Sequence, residues 1–533
     1  ESLNGEGWRN PWNPRKPMTE WSGVTLEEIN GELRVTALLL SDFSLSGNLP
    51  NEVGNLRELT SLRITGKVYK CPNSLINLRK LESLNVNFSD GTEWFLPNDM
   101  SSMLSLKEFK PGQLKIPMES FAAFYTLPAL ESLSLSTIYL IGDLPEGISK
   151  LKHLKSLDLA GTNIYSLPND IGELAENLTT LNLRGCQALA SLGENIGKLV
   201  NLKTLILSGC KVLKELPEGF GNLIQLTALD LSDCERLERL SSDIGNLQVS
   251  TLTLRGCKLL KVVPESFGKL DKLNFYDCAA LESLPESIGN LTKVTEIDLS
   301  QCTALTSLPA SLGQLTGLKK LTMPRTGLTT LPAAISSLSA LEELDVTGKE
   351  GTPGIRGVAA DVFSGLTKLK KLNASNNSFS GDLSWLKDLS ALQTLRLDGN
   401  QLSGQLDLSQ FSPNLTDVYL SNNKLEGNLN GISTLTKVRN LYLEHNLLSG
   451  ELPAELGNCS TLSYFYLSNN NITGTIPVEV AKMNLGYSGL KLNGNRMSGE
   501  IPAEVLSSAV WKKLYPETNI YPQQEGYGFS NVK

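Results

Sequence analysis

The chain is 533 residues long, with 56 acidic against 48 basic residues and a formal net charge of −8. That balance leaves no basic stripe for a polyanion such as nucleic acid, and no stretch approaches the roughly 18 uncharged apolar residues of a membrane-spanning helix. One globular core of this length would exceed the usual domain size, whereas an array of repeats that pack only on their neighbours would not.

The numbering begins at Glu1, without initiator Met or signal peptide, as expected of a processed chain. Residues 1–32 hold no repeat but carry Trp8, Trp12 and Trp21 among Pro11, Pro14 and Pro17. The first unit of an array needs its apolar end covered, so this segment is predicted to be a cap. An aromatic platform for sugars is the alternative reading of the three Trp.

Residues 33–502 are repetitive. In the middle, Leu202, Leu205 and Leu207 follow the spacing L-x-x-L-x-L, with Cys210, Leu216-Pro217 and Gly221-Asn222-Leu223 behind them, and the pattern restarts at Leu226. Taking the place of Cys210 as a marker, the series runs Phe43, Lys67, Ser89, Leu114, Ile138, Thr162, Cys186, Cys210, Cys234, Cys257, Cys278, Cys302, Thr326 and Lys349. It continues through Asn377, Asn400, Asn423, Asn446, Asn470 and Asn495, giving 20 units that are mostly 23 or 24 residues apart. Each L-x-x-L-x-L is predicted to be a short strand with its leucines inward, stacked in parallel on its neighbours. The return path, interrupted by Pro, is too short for a long helix and is expected to be 3-10 turns and extended pieces. The fold class is therefore an α/β repeat solenoid with a curved parallel sheet on its concave face and a 3-10 or extended convex side.

The marker side chain points inward where the backbone leaves the strand and loses its ladder partners. Asn satisfies a donor and an acceptor there, and Cys is small, tolerates burial and offers a weaker S–H. Cys186, Cys210, Cys234, Cys257, Cys278 and Cys302 are thus read as structural thiols, continued as a ladder by Asn377, Asn400, Asn423, Asn446, Asn470 and Asn495. Cys71 and Cys459 lie outside the column and read as buried turn residues. Two forms of turn alternate along the chain: C-x-x-L-x-x-L-P in the centre, and L-x-G-x-L/I-P at residues 45–50, 448–453, 472–477 and 497–502. The change falls near 349–377, where Lys349 and Asn377 are 28 residues apart and the run GKEGTPG predicts a surface loop or a shift in curvature. The repeat is read as stopping after Pro502. Residues 503–533 would form a second cap and tail, with a short helix over 503–510 and Trp511, Leu514 and Tyr515 covering the last unit.

Catalysis has little to stand on. Only two His are present, His153 and His445, and no nucleophile elbow, phosphate-cradling loop, HExxH motif or calcium loop occurs. Acidic residues read as scattered singly over a solvated surface. The expectation is a non-enzymatic protein without cofactor or metal.

Recognition would then fall to the outward x positions of the strands, a rigid and pre-ordered surface. Read down the stack, the middle x is polar or small from Asp158 to Asn373, apart from Ile206. It then becomes Arg396, Tyr419, Tyr442 and Tyr466. Tyr464, Glu444 and His445 are expected beside them. Tyr is a low-entropy contact residue enriched where proteins bind proteins, although stacked Tyr also stabilise a sheet by packing alone.

These motifs resemble those of leucine-rich-repeat proteins over about 470 residues, and the L-x-G-x-L/I-P turns resemble the plant-specific type, in which extra strand pairing accompanies the Gly. The start, Trp21-Ser-Gly-Val24 followed by Leu33-Arg-Val-Thr-Ala-Leu38, is similar to the cap of plant receptor ectodomains but lacks its cysteines. In this it is more similar to secreted or lipid-anchored leucine-rich-repeat proteins of gut bacteria. The resemblance implies an extracellular or outer-surface location, with lipid anchoring through a removed N-terminal segment as one form of it, and a protein ligand of unknown identity. A carbohydrate-binding or carbohydrate-processing role is the alternative, and neither nucleic acid nor insertion into a membrane is expected.

Overall fold

The structure, a computed structural model, describes residues 12–87, 97–112, 115–136, 138–265, 270–352 and 354–532. Trp8, Ser89, Leu114 and the side chains of Phe43 and Lys67 lie outside the described set. The chain forms two compact units, residues 1–270 and 271–533.

In the first unit, the segment expected to be only a cap also contributes a strand. Val24–Ile29 pairs antiparallel with the start of Glu32–Asn48. The connection is Asn30-Gly31, both at positive φ (54° and 79°), the turn whose twist suits a two-residue hairpin. This strand covers what would otherwise be an open sheet edge. Trp12 and Trp21 stack beside it with ring centroids 4.9 Å apart. Their indole N–H groups donate to the carbonyls of Ser22 and Asn13.

Parallel strands follow, one per repeat, in strict register: Leu157, Leu181, Leu205 and Leu229 face one another down the stack. Most are three residues long, such as Thr204–Ile206. They centre on the second Leu and do not span the whole L-x-x-L-x-L, although the third Leu still donates its N–H to the next repeat, as Leu183 does to Ile206. The second unit repeats the arrangement from Lys272–Asn274 to Leu490–Lys491. The return side is built of 3-10 turns, for example Phe220–Asn222 and Ala310–Gln314, as the Pro spacing predicts. Gly221 sits where successive turns touch; a Cβ there would lie 2.0 Å from the carbonyl oxygen of Asp243.

The marker column is buried in both units wherever it is Cys or Asn. Each Asn does three things. Asn423 donates from Nδ2 to the carbonyl of Leu397 in the preceding repeat and to its own Leu420, both at 3.0 Å, while Oδ1 accepts from the N–H of Leu402 at 3.0 Å. Cys reaches the same carbonyl of the preceding repeat with its single S–H: Cys210 to Leu183 at 3.2 Å, Cys302 to Phe275 at 3.2 Å. What Cys cannot do is accept the descending N–H of the repeat before. The Cys repeats instead close a tight turn, with the N–H of Leu213 donating to the Cys210 carbonyl. The Asn repeats carry short extra strands there, as in Gln401–Leu406 against Lys424–Gly427 and Ser449–Glu451 against Asn471–Thr473. In the second unit the extra strands accompany Asn at the marker; the first unit has such pairings without Asn, in Ile141–Gly142 against Asn163–Ile164 and in residues 45–47 against 66–68.

A hydrophobic period does not reveal the conformation of this column. The residue before the marker lies in the left-handed region from Gly161 to Gly256 in the first unit and at Asp277, Gln301, Arg325, Asn376, Gly399, Asn422, His445, Asn469 and Gly494 in the second; Gly66 and Gly348, before Lys67 and Lys349, do not. The chain reverses there so that the next side chain can face inward, which Gly tolerates freely and Asn, Asp and His better than most.

Four expectations are corrected. Lys349 is not a rung: it is exposed, because its turn has absorbed extra residues. Position 351 would be the counterpart of Leu402, yet it is the Ile355 N–H that donates to Asn377 Oδ1, four residues later (355 − 351). The ladder also does not end at Asn495. Gln523 donates from Nε2 to the carbonyls of Leu492 and Ile520 and accepts from the Met497 N–H on Oε1. It reproduces all three Asn bonds one repeat further on. The predicted helix over 503–510 is two one-turn helices, Ala503–Ser507 and Ala509–Lys513, separated at Ser508, whose hydroxyl caps the second. Leu514 is buried as expected, but Tyr515 is 54% exposed; Ile520 takes the inward position instead.

Cys71 and Cys459 are buried as the sequence suggests, and Cys459 donates to the carbonyl of Ile432. Burial pushes the Cys210 thiol above the usual range, and those of Cys234 and Cys302 up to about 12. Folding therefore favours the neutral thiol. The stability this contributes is complete below the ordinary thiol value of about 8.5 and is lost as pH rises toward 12. A thiol-reactive dye is expected to leave folded protein unlabelled at mildly alkaline pH and to label all eight cysteines in denaturant. Rapid labelling of a column cysteine in folded protein would contradict this packing.

Candidate binding face

The strand face of the second unit begins with paired charges. In the first outward column, Lys272 bonds Glu296 at 2.9 Å, and Glu343 lies between Lys320 (3.4 Å) and Lys371 (2.8 Å). The first unit has the same device in Glu82–Lys107 and Glu131–Lys155. These glutamates are thus matched with a basic partner one repeat away. Such exposed pairs contribute little stability each, but they leave the surface locally neutral.

The middle outward column has its own local use. Asp230, Asn274, Asp298 and Asp345 each accept, on Oδ1, the backbone N–H two residues on. This holds the chain as it enters the left-handed position. From Arg396 onward the column abandons that chemistry. Strand register places Arg396, Tyr419, Tyr442, Tyr466 and Lys491 side by side on five successive strands.

The side chains meet as the register requires. Tyr419 and Tyr442 have centroids 4.6 Å apart, and Tyr442 and Tyr466 4.7 Å, tilted by 41° and 57°. Arg396 lies over the Tyr419 ring at 4.4 Å and Lys491 over Tyr466 at 4.0 Å, so a cation closes each end of the row. Tyr464 meets Tyr466 edge-on at 6.3 Å. Glu444 is half-buried below the row, 3.9 Å from Lys491. Burial raises its carboxyl above the usual range, against the pull of Lys491 and His445. His445 is exposed in the left-handed turn, its Nε2 3.2 Å from the Asn469 side-chain nitrogen.

All seven residues expected at this face are therefore brought into one patch. The sequence reading missed Lys491, which occupies a two-residue strand in an irregular repeat, and Tyr487. Tyr487 is 70% exposed and follows Gly486, whose Cα approaches the Tyr464 phenol so closely that a Cβ would lie 3.0 Å from Cζ. The available signal was the long interval between Asn470 and Asn495, which hid a tyrosine in a loop at the patch edge.

Fold and ladder together define a leucine-rich-repeat solenoid. A family model described as a leucine-rich repeat region matches residues 219–323, a leucine rich repeat model matches 353–402, and a single-repeat model matches 201–223, 437–459 and 461–483. TMV resistance protein N of Nicotiana glutinosa is 33% identical over 171 residues, which are 30% of this chain and 14% of that protein. This chain thus spans a small fraction of its curated relative's length. Among solved structures, the plant peptide hormone receptor RGFR1 in complex with RGF2 superposes with a TM-score of 0.59 at 22% identity, covering 91% of this chain and 85% of that one. The Arabidopsis receptor kinase HAESA in complex with the peptide hormone IDA and the co-receptor SERK1 gives 0.53 at 23% identity, covering 96% and 83%. At these identities the likeness is one of fold.

Burial, followed by the neighbouring phenols of Tyr419 and Tyr466, pushes Tyr442 up to about 12. The neutral phenol is favoured by folding, so its contribution is complete below about pH 10 and lost as pH rises toward 12. Ultraviolet titration is expected to show a late tyrosine phase that Tyr442→Phe removes. A wild-type curve without that phase would contradict the packing.

Proposed function

We propose that this chain is a non-enzymatic recognition module that binds a protein or an extended peptide across the strand face of its second unit, at the row Arg396, Tyr419, Tyr442, Tyr466 and Lys491. The observation that carries the reading is that the ring flanks are already occupied. Each Tyr has a neighbouring ring or cation on both sides along the row. The row therefore offers ring edges and phenolic oxygens, which suit hydrogen bonding to a polypeptide and side-chain contact at low entropic cost. Sugar stacking needs an open ring face, and this arrangement does not favour it.

The change of column chemistry at Arg396 supports the same reading, since the strand positions that elsewhere serve the backbone are here released for surface work. That two proteins of this fold are described in complexes with peptide hormones is consistent with it. An extracellular or outer-surface location, with or without a lipid anchor, belongs to this proposal. Among the described residues no helix is long and apolar enough to cross a membrane.

Selection from a displayed peptide library on the whole chain, with a glycan array in parallel, tests the reading. Selected peptides are expected to lose roughly 10-fold or more in affinity with Tyr442→Ala or Tyr466→Ala, the scale of an interface hot spot, while Lys272→Ala leaves them unchanged. Saturable glycan binding that depends on these tyrosines, or peptides indifferent to both variants, would overturn it.

A further inference from the structure

The irregular turn that displaces Lys349 encloses a cleft of about 660 Å3 in the second unit, within the range of small-molecule sites. Its floor is apolar, formed by the buried side chains of Leu328, Val346 and Ile355. One wall is fixed by close packing on the next repeat: a Cβ on Gly348 would lie 1.8 Å from the Asn376 carbonyl oxygen, and one on Gly354 2.7 Å from Asn377 Cα.

The rim can be sorted by what each polar group already does. The hydroxyls are spent: Thr303 donates to the Ala279 carbonyl, Thr347 to the Asp345 carboxylate and Thr352 to the Lys349 carbonyl. The Asn377 amide belongs to the ladder. Among the described residues, the guanidinium of Arg325, the ammonium of Lys349 and the side-chain amides of Gln301 and Asn376 keep unused donors. Only Glu350 opposes the two cations. This excess of donors and positive charge stands out on a chain of net charge −8, and contrasts with Lys272, Lys320 and Lys371 on the strand face, each paired with a Glu.

We propose that this cleft is a second binding site, for a small organic carboxylate. The carboxylate is held at the rim by Arg325, whose planar fork matches two oxygens, with Lys349 beside it. A short apolar body lies on Leu328, Val346 and Ile355. The acid is a free small molecule or the side chain of an acidic residue on a bound chain, since both present the same group. The site is independent of the tyrosine row.

Titrating the whole chain with hexanoate, with hexylamine as a cation of equal length and with a blocked glutamate dipeptide, tests the proposal by calorimetry or ligand-observed NMR. Hexanoate is expected to bind saturably and hexylamine not. Arg325→Gln and Lys349→Gln are each expected to weaken hexanoate by about fivefold or more, the scale of one charge-assisted contact, while Tyr442→Ala has no effect. Both positions are exposed, so the variants are expected to fold, which circular dichroism checks. Binding of the dipeptide in preference to hexanoate would assign the site to an acidic side chain and support the proposal. Absence of saturable carboxylate binding, equal binding of hexylamine, or hexanoate binding undiminished in both variants would overturn it.

Discussion

The carbonyl at the end of each core strand is buried and lacks a ladder partner. In the Cys repeats it accepts the marker's own N–H, as Leu183 does from Cys186, but in the Asn repeats only side-chain amides reach it, as at Leu397 and Leu420. Leaving such a group unpaired costs on the order of 1–3 kcal/mol. The inward marker side chain of the following repeat removes it. Asn does so while also holding its own turn and the descending N–H of the repeat before; Cys supplies one weaker donor. The tight C-x-x-L turns of the Cys repeats and the extra strands of the second unit's Asn repeats go with that choice, while the left-handed residue before the marker is common to both.

The same constraint explains why the tyrosines can form a row. A ladder bond in every layer allows no slip between adjacent repeats, so a residue type recurring at one strand position is displayed at one spacing. In four of the six Cys repeats that position is Asp or Asn bound to its own backbone, at Asn182, Asp230, Asn274 and Asp298; the other two carry Ile206 and Thr253. In the Asn repeats from Arg396 onward it carries Arg, Tyr and Lys. Scaffold and surface are thereby divided within a single strand: inward residues carry the register, and outward ones are free to vary.

Much of this was legible in the sequence because the repeat states itself many times. The leucine spacing, the inward Cys and Asn, the 3-10 return and the alignment of Tyr419, Tyr442 and Tyr466 all follow from a fixed interval. What was not legible lies where the interval breaks or where a different residue does the same work. Gln523 reproduces the Asn bonds with a side chain one methylene longer and without an L-x-x-L-x-L before it. Lys349 keeps the interval in the sequence while its turn has slipped by four residues. Asn30-Gly31 marked a hairpin inside a segment read as a cap. Lys491 and Tyr487 sit in the one long interval at the edge of the patch, where counting loses the column.

The central claim is that the buried ladder, and not the surface packing of the tyrosines, holds the register of this face. Amide hydrogen exchange of Asn446→Ala, compared with wild type, tests it most directly. Asn446 Oδ1 accepts the Leu425 N–H, and its Nδ2 serves the carbonyls of Leu420 and Leu443. The account predicts that exchange at Leu425 and across strands Asp417–Tyr419 and Asn440–Tyr442 accelerates by at least 10-fold, corresponding to about 1.4 kcal/mol of lost local stability, with Tyr442→Ala far milder. Unchanged exchange at Leu425 in Asn446→Ala, or equal acceleration in Tyr442→Ala, would contradict it.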